Sequence, residues 1–207
     1  MLASKKVNDF LAELSSDSPA PGGGSAAALS GALAASLVSM VCQLTLGREK
    51  FAAAEGKVRP AAAEAVRIRD RLAALMDEDA RAFTAVLAAY RLPKGTEEEK
   101  AARTAAIQSA LHLASSVPLE CAELSFSVLE LAEAVAPVGN QNAISDAGVA
   151  ALLAEAAVWG ALLNVDINAK SITDSTRAEE LRKRAVSLRE RSSARRKLIL
   201  GTVHERM

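Results

Sequence analysis

The stretch Ser18-Pro19-Ala20-Pro21-Gly22-Gly23-Gly24-Ser25 runs straight into Ala26-Ala27-Ala28-Leu29-Ser30-Gly31-Ala32-Leu33-Ala34-Ala35 and on to Leu46. From Ser18 through Gly47 no side chain carries a charge. Two prolines and three glycines predict a tight, open turn, and Ser25 stands where a helix N-cap belongs. The helix that follows has no charged face, so it must be buried against something. Glycine at its start lets a ligand or a second backbone approach closely. The free N–H groups of a first helical turn suit an anion or a carbonyl oxygen.

The rest of the chain agrees with a helical reading. Half of its 207 residues are apolar, yet aromatics supply only 3% and alanine is abundant. Strands favour β-branched and aromatic residues, whereas alanine favours helices that pack closely. The fold class expected is all-α: one domain over residues 1–207, a bundle of about six or seven helices. A first helix is predicted over 3–16, a second from Ser25 to Leu46 and a third from Pro60 to Tyr90. Thr96 with Glu97, Glu98 and Glu99 restarts the chain as a capped helix that Pro118 is expected to kink or split, with a fifth helix continuing to Val135. After the loop at Pro137–Asn140, Ser145 or Asp146 is expected to cap a helix reaching about Ile172. Thr173-Asp174-Ser175 opens the last, to about His204.

Charge and cysteines exclude several classes. Basic and acidic residues balance at 25 each, so no global field draws nucleic acid. The basic run from Arg182 to Lys197 is interspersed with glutamate and reads as a solvated face. Cys42 and Cys121 lack metal-ligand spacing and a disulfide framework, which fits free thiols in the cytoplasm. Residues 1–14 lack the apolar core of a signal peptide. The run Ala26–Leu46 has the length of a membrane span, but its serines, Gln43 and Thr45 favour a core or dimer-interface helix, so no membrane partner is expected. His112 and His204 stand alone with no partner at ligand spacing, so no metal is expected.

Three polar groupings interrupt the apolar pattern. Gly139-Asn140-Gln141-Asn142-Ala143-Ile144-Ser145-Asp146 is a polar island, readable as a loop plus cap or as part of a site. Asn164 and Asn168, four apart, share one helix face inside an apolar segment, where a buried amide must find partners. Asp77, Glu78 and Asp79 sit in mid-helix and cannot all face one way, so one can point inward.

Several segments taken together resemble a known family. They are Pro21–Ser25 with its helix, Ser39-Met40-Val41, Thr45-x-Gly47-Arg48, Asp79-x-x-x-Phe83, Arg91-Leu92-Pro93-Lys94 and Val117-Pro118-Leu119. Gly139-Asn140, Ser145-Asp146 and Asn164-Val165-x-Ile167-Asn168 complete the set. In this order they resemble the cyclodeaminase/cyclohydrolase family, which includes the C-terminal domain of formiminotransferase-cyclodeaminase and stand-alone methenyltetrahydrofolate cyclohydrolases. The resemblance implies a helical homodimer, without metal or bound cofactor, acting on a tetrahydrofolate derivative. A cyclohydrolase opens 5,10-methenyltetrahydrofolate to 10-formyltetrahydrofolate with water; a cyclodeaminase closes 5-formiminotetrahydrofolate and expels ammonia. With no formiminotransferase domain beside it, and with its wording at Val38–Cys42 and Asn164–Lys170, this chain is expected to be the cyclohydrolase. A cyclodeaminase and a non-catalytic folate-binding dimer are the alternatives. Asp146 is the first candidate base for activating water and Asp79 the second. Asn140, Asn164 and Asn168, with Ser145 beside them, are expected to hold water and the pterin edge. Gly22, Gly23, Gly24 and Ser25 offer backbone N–H groups, and Arg48 or Lys94 is expected to meet the glutamate tail.

Overall fold

A computed structural model describes residues 1–207 and contains six α-helices and no strand. They are α1 (Val7–Leu14), α2 (Gly23–Thr45), α3 (Glu55–Tyr90), α4 (Glu97–Val135), α5 (Ile144–Ala169) and α6 (Ser175–Arg206). Short 3-10 turns fill Leu2–Ser4, Glu49–Ala54 and Gln141–Ala143. The helix α2 packs against α3, α4 and α5, and α6 lies along α4 and α5.

Small residues set how close the helices come. A Cβ on Gly31 of α2 would lie 2.6 Å from Ser125 Oγ, 3.1 Å from Leu72 Cδ1 and 3.5 Å from Ala157 Cβ. At this one position α2 therefore meets α3, α4 and α5 together. Larger residues fill the space around the crossing: Ile68, Leu72, Leu75, Leu129 and Leu162 are fully buried. Each such side chain contributes about 1.5–3 kcal/mol of transfer free energy.

The helix starts differ in instructive ways from their sequence reading. The N-cap of α2 is Gly22, with no side-chain cap, and Ser25 is already inside the helix and fully buried. The flexible glycines let the helix begin two residues early. The third helix begins at Glu55 and takes Pro60 into its second turn. Thr96 does cap α4: its Oγ1 accepts from Glu99 N–H, and Glu99 Oε2 accepts from Thr96 N–H, both at 3.2 Å. Ala143 rather than Ser145 or Asp146 precedes α5, leaving those two in its first turn. Asp174 caps α6 through Arg177 N–H.

Pro118 does not split its helix; α4 runs unbroken through it. Proline has no N–H to give the carbonyl four residues back, which is Ala114. That carbonyl instead accepts from Asn168 Nδ2 of α5 at 2.6 Å. A neighbouring helix thus supplies the hydrogen bond that the proline withholds.

Both α2 and the segment Gln141–Ala169 are long and apolar enough to cross a membrane by length and composition, and half or more of each is buried in the bundle. Outside the buried part, Leu33, Met40 and Leu44 of α2 and Val149, Leu152, Leu163 and Ile167 of α5 are exposed, while the acids Asp146, Glu155 and Asp166 of α5 are half-buried.

Candidate functional site

The two polar ends of the bundle have separate characters. At one end Asn140 is buried and fully employed: its N–H donates to Thr45 Oγ1 (2.9 Å), its Nδ2 to Leu44 O (3.0 Å), and its Oδ1 accepts from Asn142 N–H (3.1 Å). It pins the α4–α5 connection to the C-terminal end of α2. Ser145 is exposed and Asp146 half-buried there, with Arg48 exposed beyond Gly47.

At the other end a cavity of about 270 Å³ opens between the start of α2, the middle of α3 and the end of α5. Its wall includes Gly22, Gly23, Gly24, Asp79, Phe83, Val86, Ala114, Asn164, Ile167 and Asn168. The sequence-predicted residues that converge are therefore the three glycines, Asp79, Asn164 and Asn168. Ser25 lies directly behind Asp79 and cannot touch a ligand, being fully buried.

Asp146 does not line this cavity. It sits in the first turn of α5, and Asn164 lies about 27 Å further along the same rod. Asn140 and Ser145 belong to that far end as well, and Arg48 stands past the opposite terminus of α2 from the glycines. Lys94 is exposed in the α3–α4 turn, and it does not line the cavity. Long straight helices separate residues that a sequence list places side by side.

Three consecutive acids of α3 face three neighbours. Asp77 Oδ1 accepts Leu2 N–H at 2.9 Å. Glu78 meets Arg71, which also holds Glu120. Only Asp79 turns into the cavity. Burial raises its carboxyl above the usual aspartate range, and the hydroxyl and backbone N–H of Ser25 oppose that rise. The Ser25 hydroxyl lies 2.9 Å from Met76 O and 3.2 Å from Asp79 Oδ2, so its single proton is shared between two acceptors.

Both asparagines give their amide hydrogens to protein carbonyls. Asn164 Nδ2 donates to Gly160 O at 3.0 Å and Asn168 Nδ2 to Ala114 O at 2.6 Å. Each bond uses one of the two amide hydrogens, so each side chain keeps its amide oxygen and one N–H for a ligand. With the Asp79 carboxylate the two amide oxygens give this wall three acceptor groups. The N–H groups at the start of α2, capped by no side chain, face them as donors. Phe83 and Ile167 supply apolar surface at the rim, the contribution that sequence reasoning passed over. The signal was available: Asp79 with Phe83, and Asn164 with Asn168, are pairs four apart on one helix face.

No thiol serves this cavity as a nucleophile. Burial pushes Cys42 up to about 11 and Cys121 up to about 12, leaving both protonated.

Comparison with known proteins fits this geometry. The family model described as Formiminotransferase-cyclodeaminase matches residues 6–187. The chain belongs to this family. Among formiminotransferase-cyclodeaminase relatives, a methenyltetrahydrofolate cyclohydrolase of Methylorubrum extorquens is 45% identical over 207 residues, covering 100% of both chains. The formimidoyltransferase-cyclodeaminase of Rattus norvegicus is 40% identical over 205 residues, and the match spans 38% of its length. A solved structure, the formiminotetrahydrofolate cyclodeaminase of Thermotoga maritima, superposes with a TM-score of 0.89 at 25% identity, covering 99% of this chain and 98% of that one.

Proposed function

We propose that the chain is an enzyme, a methenyltetrahydrofolate cyclohydrolase that opens 5,10-methenyltetrahydrofolate to 10-formyltetrahydrofolate. The observation that carries this reading is the cavity wall itself: one desolvated carboxylate and two amide oxygens, all acceptors, around a space of about 270 Å³. The methenyl substrate carries a cationic amidinium and a pterin edge rich in N–H donors, and an acceptor wall suits both. The full-length likeness to a protein named for this reaction supports the same assignment. The cavity volume of about 270 Å³ lies just below the usual range for ligand sites, so in this reading the ring system enters it and the glutamate tail stays outside.

Asp79 is the catalytic base in this reading. Its carboxylate takes a proton from water as the water oxygen bonds to the methenyl carbon, giving a neutral tetrahedral adduct between N5 and N10. The C–N5 bond then breaks as N5 receives the proton from the Asp79 carboxyl; the adduct hydroxyl gives its proton to the freed carboxylate, which passes it to solvent, and the carbon stays on N10 as a formyl group. Burial holds the carboxyl's pKa up, and a cationic ligand beside it draws the pKa down, so the base ionises where it is needed. No bound cofactor or metal is required by these steps.

A homodimer in the cytoplasm completes the proposal. Support for the dimer comes from the exposed apolar side chains of α2 and α5, since exposed large apolar groups mark association surfaces and ones free of charge suit a second copy about a two-fold axis.

Cyclodeamination is the second reading, favoured by the likeness to the Thermotoga maritima structure. The same base would deprotonate the attacking nitrogen, and ammonia would leave. One paired assay separates them: ultraviolet decay of methenyltetrahydrofolate, then ammonia release from 5-formiminotetrahydrofolate, with purified protein. Methenyl decay above the spontaneous rate without ammonia is the result expected. Ammonia release at the faster rate would overturn the assignment, and neither activity would leave a folate-binding dimer.

A further inference from the structure

The place of Pro118 within α4 bears on the cavity although the proline does not line it. The Ala114 carbonyl, which would accept the N–H of residue 118 in an uninterrupted ladder, has no such donor. Asn168 Nδ2 takes that carbonyl at 2.6 Å from the neighbouring helix. The bond fixes which way the carboxamide points. One of its two N–H groups is bound to Ala114, and its oxygen takes no hydrogen bond from the protein and is free to accept at the cavity wall.

We infer that Pro118 is a positioning residue for substrate recognition: by leaving the Ala114 carbonyl open, it anchors Asn168 with its amide oxygen presented as an acceptor to the donor edge of the ligand. An N–H at position 118 would compete with Asn168 for the Ala114 carbonyl and hold that carbonyl closer to the axis of α4. The Asn168 bond would lengthen and its carboxamide turn more freely, so the cavity would lose one of its two fixed amide acceptors. Substrate binding weakens, while the water-activating step at Asp79 is untouched. This inference rests on the pterin-binding reading for the kinetics and on geometry alone for the side-chain orientation.

The test compares Pro118→Ala, Asn168→Ala and the double variant. Alanine is the better helix former, so Pro118→Ala is expected to fold with a melting temperature equal to or above that of the wild type. KM for methenyltetrahydrofolate should rise about fivefold to tenfold, the worth of one hydrogen bond to a buried ligand, with kcat within about twofold. The double variant should be no worse than either single one, because both act through the same bond. An unchanged KM in Pro118→Ala, or multiplied losses in the double variant, would overturn the inference. A ligand-free measurement keeps the two ideas apart. The Asn168 side-chain NH₂ resonances should show slowed hydrogen exchange in the wild type and faster exchange in Pro118→Ala. If this difference is found and no variant hydrolyses the substrate, the functional reading fails and the positioning role stands. If exchange is the same in both proteins, the positioning role fails regardless of activity.

Discussion

The carboxylate of Asp79 occupies the space that a side chain on Gly24 would need. A Cβ at position 24 would lie 2.1 Å from Asp79 Oδ1, 2.4 Å from Cγ and 2.6 Å from Oδ2. The acid of α3 is thereby seated against the bare backbone of the first turn of α2, where unpaired N–H groups favour negative charge. Within the glycine triplet this requirement is specific: Gly22 and Gly23 have open space where a Cβ would go.

Gly24→Ala should therefore displace the carboxylate and lower kcat by about a hundredfold, in line with removal of a positioned base. Circular dichroism should show the helix content intact. Gly23→Val is expected to raise KM by about tenfold with kcat largely kept, since its side chain projects into the cavity. Equal kinetic effects of the two variants would contradict the distinction.

Asp79→Asn should abolish turnover and stabilise the fold. The folded pKa of Asp79 is raised by burial, so the folded state holds this proton more tightly than the unfolded chain does. Its contribution to stability is thus greatest below the ordinary aspartate range, and it is lost as pH rises from there through the raised folded value. At pH 7 the variant should melt a few degrees higher than the wild type, and below about pH 3.9, the ordinary aspartate value, the two should converge. Melting curves across pH check this.

Ser25→Ala removes the hydroxyl that supports the ionised carboxylate. The acid limb of the pH–rate profile, where Asp79 becomes protonated, should move upward by about one pH unit, the scale of a hydrogen bond to a charged group. A uniform drop in rate with the limb in place would assign Ser25 to packing alone.

Asp146→Asn should leave turnover within about twofold and cost no more than about 1 kcal/mol, the worth of an acid in a first helical turn. A hundredfold loss would mean that this acid reaches the cavity of another copy of the chain. Asn140→Ala, by contrast, strips two side-chain hydrogen bonds from a buried junction and should destabilise by roughly 1–3 kcal/mol. Chemical denaturation measures both.

Leu163→Glu places a charge among the exposed apolar side chains of α5. It should halve the molecular mass seen by sedimentation while the monomer stays helical, if that face seats a second copy.

Residue chemistry made much of this legible before any coordinates. Alanine abundance and the near absence of aromatics point to helices, and the Thr96–Glu99 pair announces its cap. Asn164 and Asn168 advertise a polar wall because two amides on one apolar face need partners. What escaped was orientation and distance. Ser25 and Asp146 have the residue types of caps, yet the chain found cheaper starts at Gly22 and Ala143, and nothing local reveals that choice. Pro118 reads as a breaker because its rescuing donor lies 50 positions downstream, at Asn168. Asp146 outranked Asp79 on paper since a polar loop surrounds it, whereas Asp79 acquires its setting only when α2 crosses α3.

Asp77 on Leu2, Asp79 against Gly24, and the Arg71–Glu78 pair on Glu120 of α4 give α3 only one permissible rotation about its own axis. One residue of slip turns a helix by about 100°, which would bring Glu78 toward Gly24, part Arg71 from Glu120 and release Leu2. The acidic triplet therefore works like the teeth of a key, and a single-codon insertion upstream in α3 would jam the lock even though every one of these residues remained in the chain.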